Sequence, residues 1–306
     1  MISLAEFLEK STRDIADIVR DRGPHVCVFP INGTRRWFLL EKGSSASEMD
    51  AEDLVAATAN ELRRLVAILF DHGVDTVLTP VYGRDLVAER GSVYHQLAKQ
   101  GLRLLTERRF RAFYAEEAVR VRFYGDYERD FEDEPELLRT LHETEDATAD
   151  YTHHRLFYGV CGESAVRPIT ERAATLGRSL SHEEAIEAFY GEPVALADLF
   201  IGFDAPTAFD MPLLDKGGVD LYFTRSPSPY LDQTALRAIL YDWIFVRSTI
   251  PADYSGLQPS DWASMRAYYR KSRRDVIGMG RKRNGIWYAA DANQGLSPKV
   301  SINDGR

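Results

Sequence analysis

The chain is poor in cysteine. Its 306 residues hold two, Cys27 and Cys161, each inside an apolar run. Two thiols exclude a disulfide framework and read as core residues. Long apolar runs are absent as well. Nothing approaches the ~20 residues of a membrane-spanning helix, so no transmembrane segment is expected. The N-terminus, "MISLAEFLEKSTRDIADIV", carries acids throughout and lacks the apolar core of a signal peptide. These absences give a cytoplasmic expectation. Positive charge is also in deficit: 38 Lys and Arg face 47 Asp and Glu, a net charge of −9. Bulk attraction to nucleic acid or to an anionic membrane is therefore excluded, and no nucleic-acid partner is expected. Any anion site has to be a local patch of arginines. Four familiar signatures are missing too: GxxxxGK[ST], GxGxxG, a DDxxD-type acidic helix and GxSxG.

What is present reads as a folded α/β chain. Hydrophobic residues make up 44% and charged residues 28%, enough to bury a sizeable core. Apolar residues at helical spacing predict a helix over 3–20, opened by a Ser3/Glu6 capping box. Further helices are predicted over 50–70, 92–117, 181–190 and 231–246, with Gly73 after the end of the second. Six apolar runs predict strands: "HVCVFPI", "VDTVLTP", "VRVRFYG", "HRLFYGVCG", "ADLFIGF" and "VDLYFT". Strands apolar on both faces that alternate with helices imply a mostly parallel six-stranded sheet covered on both sides. One domain is expected over 1–292, followed by a loose tail, 293–306.

In open α/β sheets ligands gather at the carboxyl ends of the strands. Asn32-Gly33-Thr34-Arg35-Arg36 falls there, just past the first strand. Gly33 allows a tight turn with exposed amides. Arg35 and Arg36 can grip phosphate oxygens through paired, charge-assisted bonds. Arg84 and Arg90, after the second strand, are further candidate phosphate ligands. Trp37, Tyr82, Tyr124, Phe203 and Phe209 lie beside predicted strand ends. Their π faces could line an apolar tunnel and stabilise a carbocation. The acidic stretch with Asp130, Asp133 and Glu134 reads as a solvated loop. His153 and His154 are adjacent on a strand and face opposite ways, so they do not read as a metal pair.

Taken together, these segments resemble a known family. "NGTRRW" is similar to the diphosphate-binding D-G-N-G-R-W turn of cis-prenyltransferases, the undecaprenyl diphosphate synthase family. "GDYER" is similar to its G-D-x-x-R, and "VDLYFT" to its A-E-L-x-F-T. The order "RGPHVCVFPINGTRRWFLLE", "FDHGVDTVLTP", "VRFYGDY", "HRLFYGVCG", "ADLFIGF", "FDMPLL", "LYFTRSPSPY", "LRAILYDWIF", "NGIWYA" resembles the tuberculosinol/isotuberculosinol synthase (tuberculosinyl transferase) branch over about Phe7 to Ala289. The resemblance implies the (Z)-prenyl synthase fold, a homodimer, and a prenyl diphosphate substrate of the bicyclic diterpenyl class.

Departures from the pattern shape the expected chemistry. Gly202 and Ala208 stand where chain-elongating members hold isopentenyl diphosphate with arginines, so elongation is not implied. Asn32 replaces the aspartate at the head of the first turn. Asp220 matches the glutamate that serves Mg²⁺ with that aspartate. Mg²⁺ is therefore an expected cofactor, held by Asp220 and weakened by Asn32. Leu54 stands where the branch has a tyrosine near its acceptor site. The expectation is an enzyme in which Asn32, Arg35 and Arg36, with the Gly33–Thr34 backbone, release diphosphate. Water or proton loss then quenches the cation to a terpene alcohol or olefin. Two alternatives stand beside it: transfer to a small acceptor such as a nucleoside, and a non-catalytic subunit that binds prenyl diphosphate.

Overall fold

The structure is a computed structural model that describes residues 2–42, 50–162, 164–204, 206–215, 217–247, 256–273, 281–283 and 286–288, without the side chains of 84–93 and 281–288. The expected tail, 293–306, lies outside the described residues. The chain divides into two compact units. One comprises 1–203 with 207–248, and the other 204–206 with 249–306.

The first unit opens with α1 (Leu4–Leu8) and α2 (Thr12–Arg22), where one helix was expected over 3–20. Ser3 and Glu6 form the capping box, but Ser11 caps a second helix by accepting from the Asp14 N–H, and this breaks the run. There follow β1 (Val26–Val28), α3 (Thr34–Lys42), α4 (Ala51–Asp71) and β2 (Thr76–Tyr82). Asp50 caps α4, and Gly73, at φ +91°, turns the chain into β2. Next come α5 (Arg84–Thr106), α6 (Arg108–Glu116), β3 (Val119–Tyr124), α7 (Tyr127–Asp130) and α8 (Pro135–Ala147). α5 starts eight residues before the expected Ser92, directly after Gly83. β4 (His154–Val160), α9 (Val166–Leu176), α10 (His182–Tyr190), β5 (Leu199–Phe203), β6 (Asp220–Thr224) and α11 (Gln233–Tyr241) complete the unit. A π-helical turn, Asp242–Val246, follows α11.

All six strands are parallel, in the order β3-β4-β2-β1-β5-β6. Strand alternation sorts the core into two layers. Cys27, Val77, Val121, Tyr158 and Ile201 pack with α4, α5 and α6 on one face. Val28, Leu78, Tyr124, Phe157 and Phe200 pack with α10 on the other. Both cysteines are free and buried, and burial pushes the Cys27 thiol far up from its ordinary value. No described helix is long and apolar enough to cross a membrane.

The second unit contributes α12 (Pro259–Ser272) and an antiparallel pair, β7 (Arg281–Arg283) with β8 (Ile286–Tyr288).

Candidate functional site

The parallel register brings the first turn to the carboxyl edge of the sheet. Val28 pairs with Leu78 and Phe200 in the neighbouring strands, and the Phe29 N–H donates to the Leu78 carbonyl at 2.8 Å. The chain then leaves the sheet, turns at Gly33 with φ +75°, and enters α3. A left-handed backbone favours glycine here, and packing demands it. A Cβ on Gly33 would lie 2.8 Å from the Phe203 ring and 2.9 Å from Pro227.

A second segment holds the turn. Ser228, 1% exposed, begins a 3₁₀ turn, Ser228–Tyr230, just beyond β6. Its N–H donates to the Asn32 carbonyl at 3.0 Å, and its hydroxyl oxygen accepts from the Asn32 N–H at 3.0 Å. That hydroxyl donates onward to the Pro30 carbonyl at 3.4 Å. Arg64 of α4 grips the same segment from behind, donating to the Pro229 carbonyl at 2.7 Å and the Leu231 carbonyl at 3.3 Å. The Tyr230 hydroxyl donates to Glu41 of α3 at 2.5 Å. These anchors were not found in the sequence. The only signal was the "SPSPY" stretch, which carried the resemblance without a role.

The main chain of Asn32 is thus fully engaged, and its side-chain amide is what remains for a ligand. The first N–H groups of α3 have no partner within the helix, and they carry its positive dipole end. Arg35 and Arg36 sit on that first turn and are exposed. The Arg36 guanidinium lies 5.4 Å over the Phe203 ring. Helix amides, two guanidiniums and a primary amide on one rigid turn form a site suited to a diphosphate. Arg84 and Arg90 lie on the first turns of α5, where the side chains fall outside the described residues.

The expected tunnel residues do not share one wall. Tyr82 faces the α4–α5 layer, with its hydroxyl 2.5 Å from His95 Nδ1 and its ring against Tyr94 and Phe131. Tyr124 faces the opposite layer, donates to the Asp210 carbonyl at 2.8 Å, and packs on Phe189 and Tyr190. Phe209 packs on Phe200 in that same layer and is 36% exposed. Phe203 and the half-buried Trp37 flank the turn itself. Side chains alternate along a strand, and Tyr82 is level with Val160 of β4 whereas Tyr124 is level with Gly159, one step apart, so the two rings take opposite faces.

Asp220 does not join the turn within one chain. It is the first residue of β6, in register with Leu199, while Thr224, level with Phe203, marks the carboxyl end. Four residues of strand are ~13 Å. Its carboxylate lies 3.4 Å from Arg247 instead. Among the described residues no group of three His, Cys, Asp or Glu is arranged to hold a metal ion. With a neutral Asn32 and a distant Asp220, the residues of one chain do not fit a protein-held Mg²⁺.

The remaining motifs have structural partners. Asp126 of "GDYER" forms an ion pair with Arg167 of α9, and that hydrogen bond raises the arginine further above its ordinary value. The acidic stretch is less solvated than expected: Glu134 accepts from Lys99 at 3.0 Å and Arg103 at 2.8 Å. His154 stacks on Phe70 at 4.1 Å, as a core residue.

A parallel six-stranded sheet with an arginine-bearing, glycine-hinged turn at its carboxyl edge defines a (Z)-prenyl synthase fold of the prenyl diphosphate enzymes. Solved structures agree on the fold. The chain is similar to a probable undecaprenyl diphosphate synthase from Campylobacter jejuni, with a TM-score of 0.55 at 13% identity over 74% of this chain and 98% of that one. It is also similar to lavandulyl diphosphate synthase from Lavandula x intermedia, solved with dimethylallyl diphosphate. There the TM-score is 0.59 at 13% identity, over 72% and 95%. No family model matches the chain. Among curated proteins it is 38% identical to tuberculosinyl adenosine transferase of Mycobacterium tuberculosis (strain CDC 1551 / Oshkosh), over 94% of this chain and 99% of the relative. It is 25% identical to (+)-kolavelool synthase of Herpetosiphon aurantiacus, over 94% and 95%. The chain belongs to the tuberculosinyl transferase branch of the cis-prenyltransferase family, and its relatives are enzymes.

This corrects the expectation that water or proton loss quenches the cation. The relative at 38% identity is named a transferase to adenosine. Leu54, read as a missing acceptor tyrosine, misled: it is a buried core residue of α4, and one substituted position does not outweigh 38% identity over nearly the whole of both chains.

Proposed function

We propose that the protein transfers a diterpenyl group from its diphosphate to a nucleoside. The observation that carries this reading is the 38% identity, over nearly the whole of both chains, to a protein named tuberculosinyl adenosine transferase. The turn supplies a matching physical rationale. The allylic C–O bond breaks heterolytically, and its electron pair leaves with diphosphate. Arg35, Arg36 and the leading amides of α3 stabilise the charge that develops on the departing oxygens. The Asn32 amide donates to a phosphate oxygen or orients the acceptor. A lone pair on a nucleoside heteroatom then closes the new bond to carbon. The absence of arginine at Gly202 and Ala208 supports a single diphosphate site. Gly202 has no room for one, since even a Cβ there would lie 2.7 Å from the Phe223 ring.

A homodimer belongs to the same reading. β6 is an edge strand of the sheet, its residues are only partly covered, and Leu221 is 39% exposed.

The test is incubation of a bicyclic diterpenyl diphosphate with adenosine and other nucleosides, followed by mass analysis of the extracts. A diterpenyl nucleoside is expected, with loss of both product and diphosphate release in Arg35→Ala and in Arg36→Ala. Terpene alcohol alone at saturating nucleoside, or full activity in both variants, overturns the proposal.

A further inference from the structure

α3 carries both arginines of the turn, yet little of it is buried. Of its nine residues only Phe38 is in the core, and Leu40 is 64% exposed. A helix of this length takes most of its stability from an apolar face packed on its neighbours. One buried side chain is a pivot: it fixes neither the tilt of the axis nor rotation about it. Holding Arg35 and Arg36 in register with a ligand needs further points of attachment.

The Ser228–Tyr230 turn supplies two, one at each end of the helix. Ser228 engages the main chain of Asn32, ahead of the first turn of α3. Tyr230 reaches the last turn, about 13 Å further on at 1.5 Å per residue, where its hydroxyl donates to the Glu41 carboxylate at 2.5 Å. That hydrogen bond, then burial, raises the Tyr230 phenol above its ordinary value, so it keeps its proton and goes on donating at neutral pH. The turn is itself anchored, because Arg64 of α4 holds the Pro229 and Leu231 carbonyls. At about 100° per residue, Glu41 falls on the opposite side of α3 from Arg35 and Arg36. A tie there stiffens the helix without crowding the face that carries the guanidiniums.

We propose that Tyr230 and Glu41 are positioning residues, whose hydrogen bond locks the far end of α3 so that Arg35 and Arg36 meet the departing diphosphate in a fixed orientation. Neither side chain touches the substrate; both act through the helix. The proposal rests on the reading of the turn as the diphosphate site, and it holds whichever nucleophile closes the reaction.

Steady-state diphosphate release from a bicyclic diterpenyl diphosphate, at saturating adenosine, tests it. Tyr230→Phe keeps the ring and removes the donor. A misplacement of up to about 1 Å at the arginines should lower kcat by about 10- to 100-fold and change KM by less than about threefold. Glu41→Gln keeps an acceptor for the phenol and should stay within about threefold of the parent. Glu41→Ala combined with Tyr230→Phe should lose no more than the worse single change, because both remove the same bond. Tyr230 is 42% exposed and Glu41 is exposed, so melting temperatures should move by less than about 2 °C, which keeps misfolding apart from lost positioning. In the ligand-free protein, amide exchange of α3 should quicken in Tyr230→Phe while that of the strands holds. Unchanged kcat in Tyr230→Phe, unchanged exchange of α3, additive losses in the double variant, or a raised KM at full kcat overturns the proposal. Arg35→Ala and Arg36→Ala keep the two readings apart. If they lose release while Tyr230→Phe keeps it, the positioning role alone fails; if they keep full release, the diphosphate site lies elsewhere and the positioning role fails with it.

Discussion

Replacing Gly33 by alanine tests whether the diphosphate turn is held as the structure describes. Two costs follow from the geometry. An alanine at φ +75° enters the left-handed region at about 1–2 kcal/mol. Its Cβ would also lie 2.8 Å from the Phe203 ring and 2.9 Å from Pro227. Both groups are stiff, so the neighbours have to shift, at about 1–3 kcal/mol. Together these cost about 2–5 kcal/mol, which for a chain of this size lowers the melting temperature by about 3–8 °C. Gly177 provides the control. Its φ is +65°, but an added Cβ meets nothing within 4 Å, so Gly177→Ala carries only the backbone cost. Thermal unfolding of the two variants separates the steric part from the conformational part. Diphosphate release provides the functional readout. A shift of about 1 Å in the first turn of α3 should slow release by about 100-fold in Gly33→Ala and leave Gly177→Ala near the parent. If Gly33→Ala melts no lower than Gly177→Ala and releases diphosphate normally, the wedge between Phe203 and Pro227 does not position the site.

Ser228→Ala leaves the Asn32 N–H without its acceptor and should cost about 1–2 kcal/mol in urea unfolding, with a fall in kcat larger than any change in KM. Asn32→Asp places a negative charge beside the proposed diphosphate, at about 4 kcal/mol for like charges ~4 Å apart at an effective dielectric of ~20. Metal-free turnover should drop, and added Mg²⁺ should restore part of it; faster metal-free turnover would contradict the arginine-centred scheme. Burial, then the charges of His153 and Arg20, lowers His154 to about 4 from an ordinary 6.5. The unfolded chain therefore takes the proton first, so stability is full above ~6.5 and falls by roughly 3 kcal/mol as pH drops to ~4; His154→Phe should remove that share of the slope. Burial alone would raise Glu192, but Arg155, Arg122 and Arg120 outweigh it and hold the carboxyl below its ordinary value. Glu192→Ala should cost about 2–4 kcal/mol in denaturant unfolding, less than a fully buried pair, because those guanidiniums are 22–32% exposed.

The sheet was legible because its strands are buried on both faces and announce themselves as apolar runs. All six expected strands are present, parallel, in one sheet. Helix boundaries were less legible where capping chemistry overrides periodicity. Ser11 splits the first helix although the apolar spacing continues through it, and α3 was missed because its nine residues follow the turn directly, with two arginines in the opening turn. The site was half legible. Residue types at a strand end singled out Asn32, Arg35 and Arg36 as candidates, and the structure places them on one turn, but sequence has no depth along a strand. Asp220 was matched by its motif, while the register puts it at the opposite end of β6 from the turn. The aromatics failed for a related reason, since a strand-end position does not say which face a ring takes.

The anchoring of the turn bears on why its head residue can be an asparagine. Ser228 satisfies both main-chain groups of Asn32, and Phe203 with Pro227 fixes Gly33 sterically. None of these interactions uses the side chain at position 32. The fold of the turn is therefore indifferent to whether that side chain is charged, and in the proposed scheme the choice between amide and carboxylate acts on the ligand alone. A carboxylate repels a diphosphate unless a dication intervenes, whereas an amide can donate to it directly. With Asp220 tied to Arg247 at the far end of β6, an asparagine beside two arginines is electrostatically consistent with the proposed scheme, in which this chain's own donors meet the leaving group.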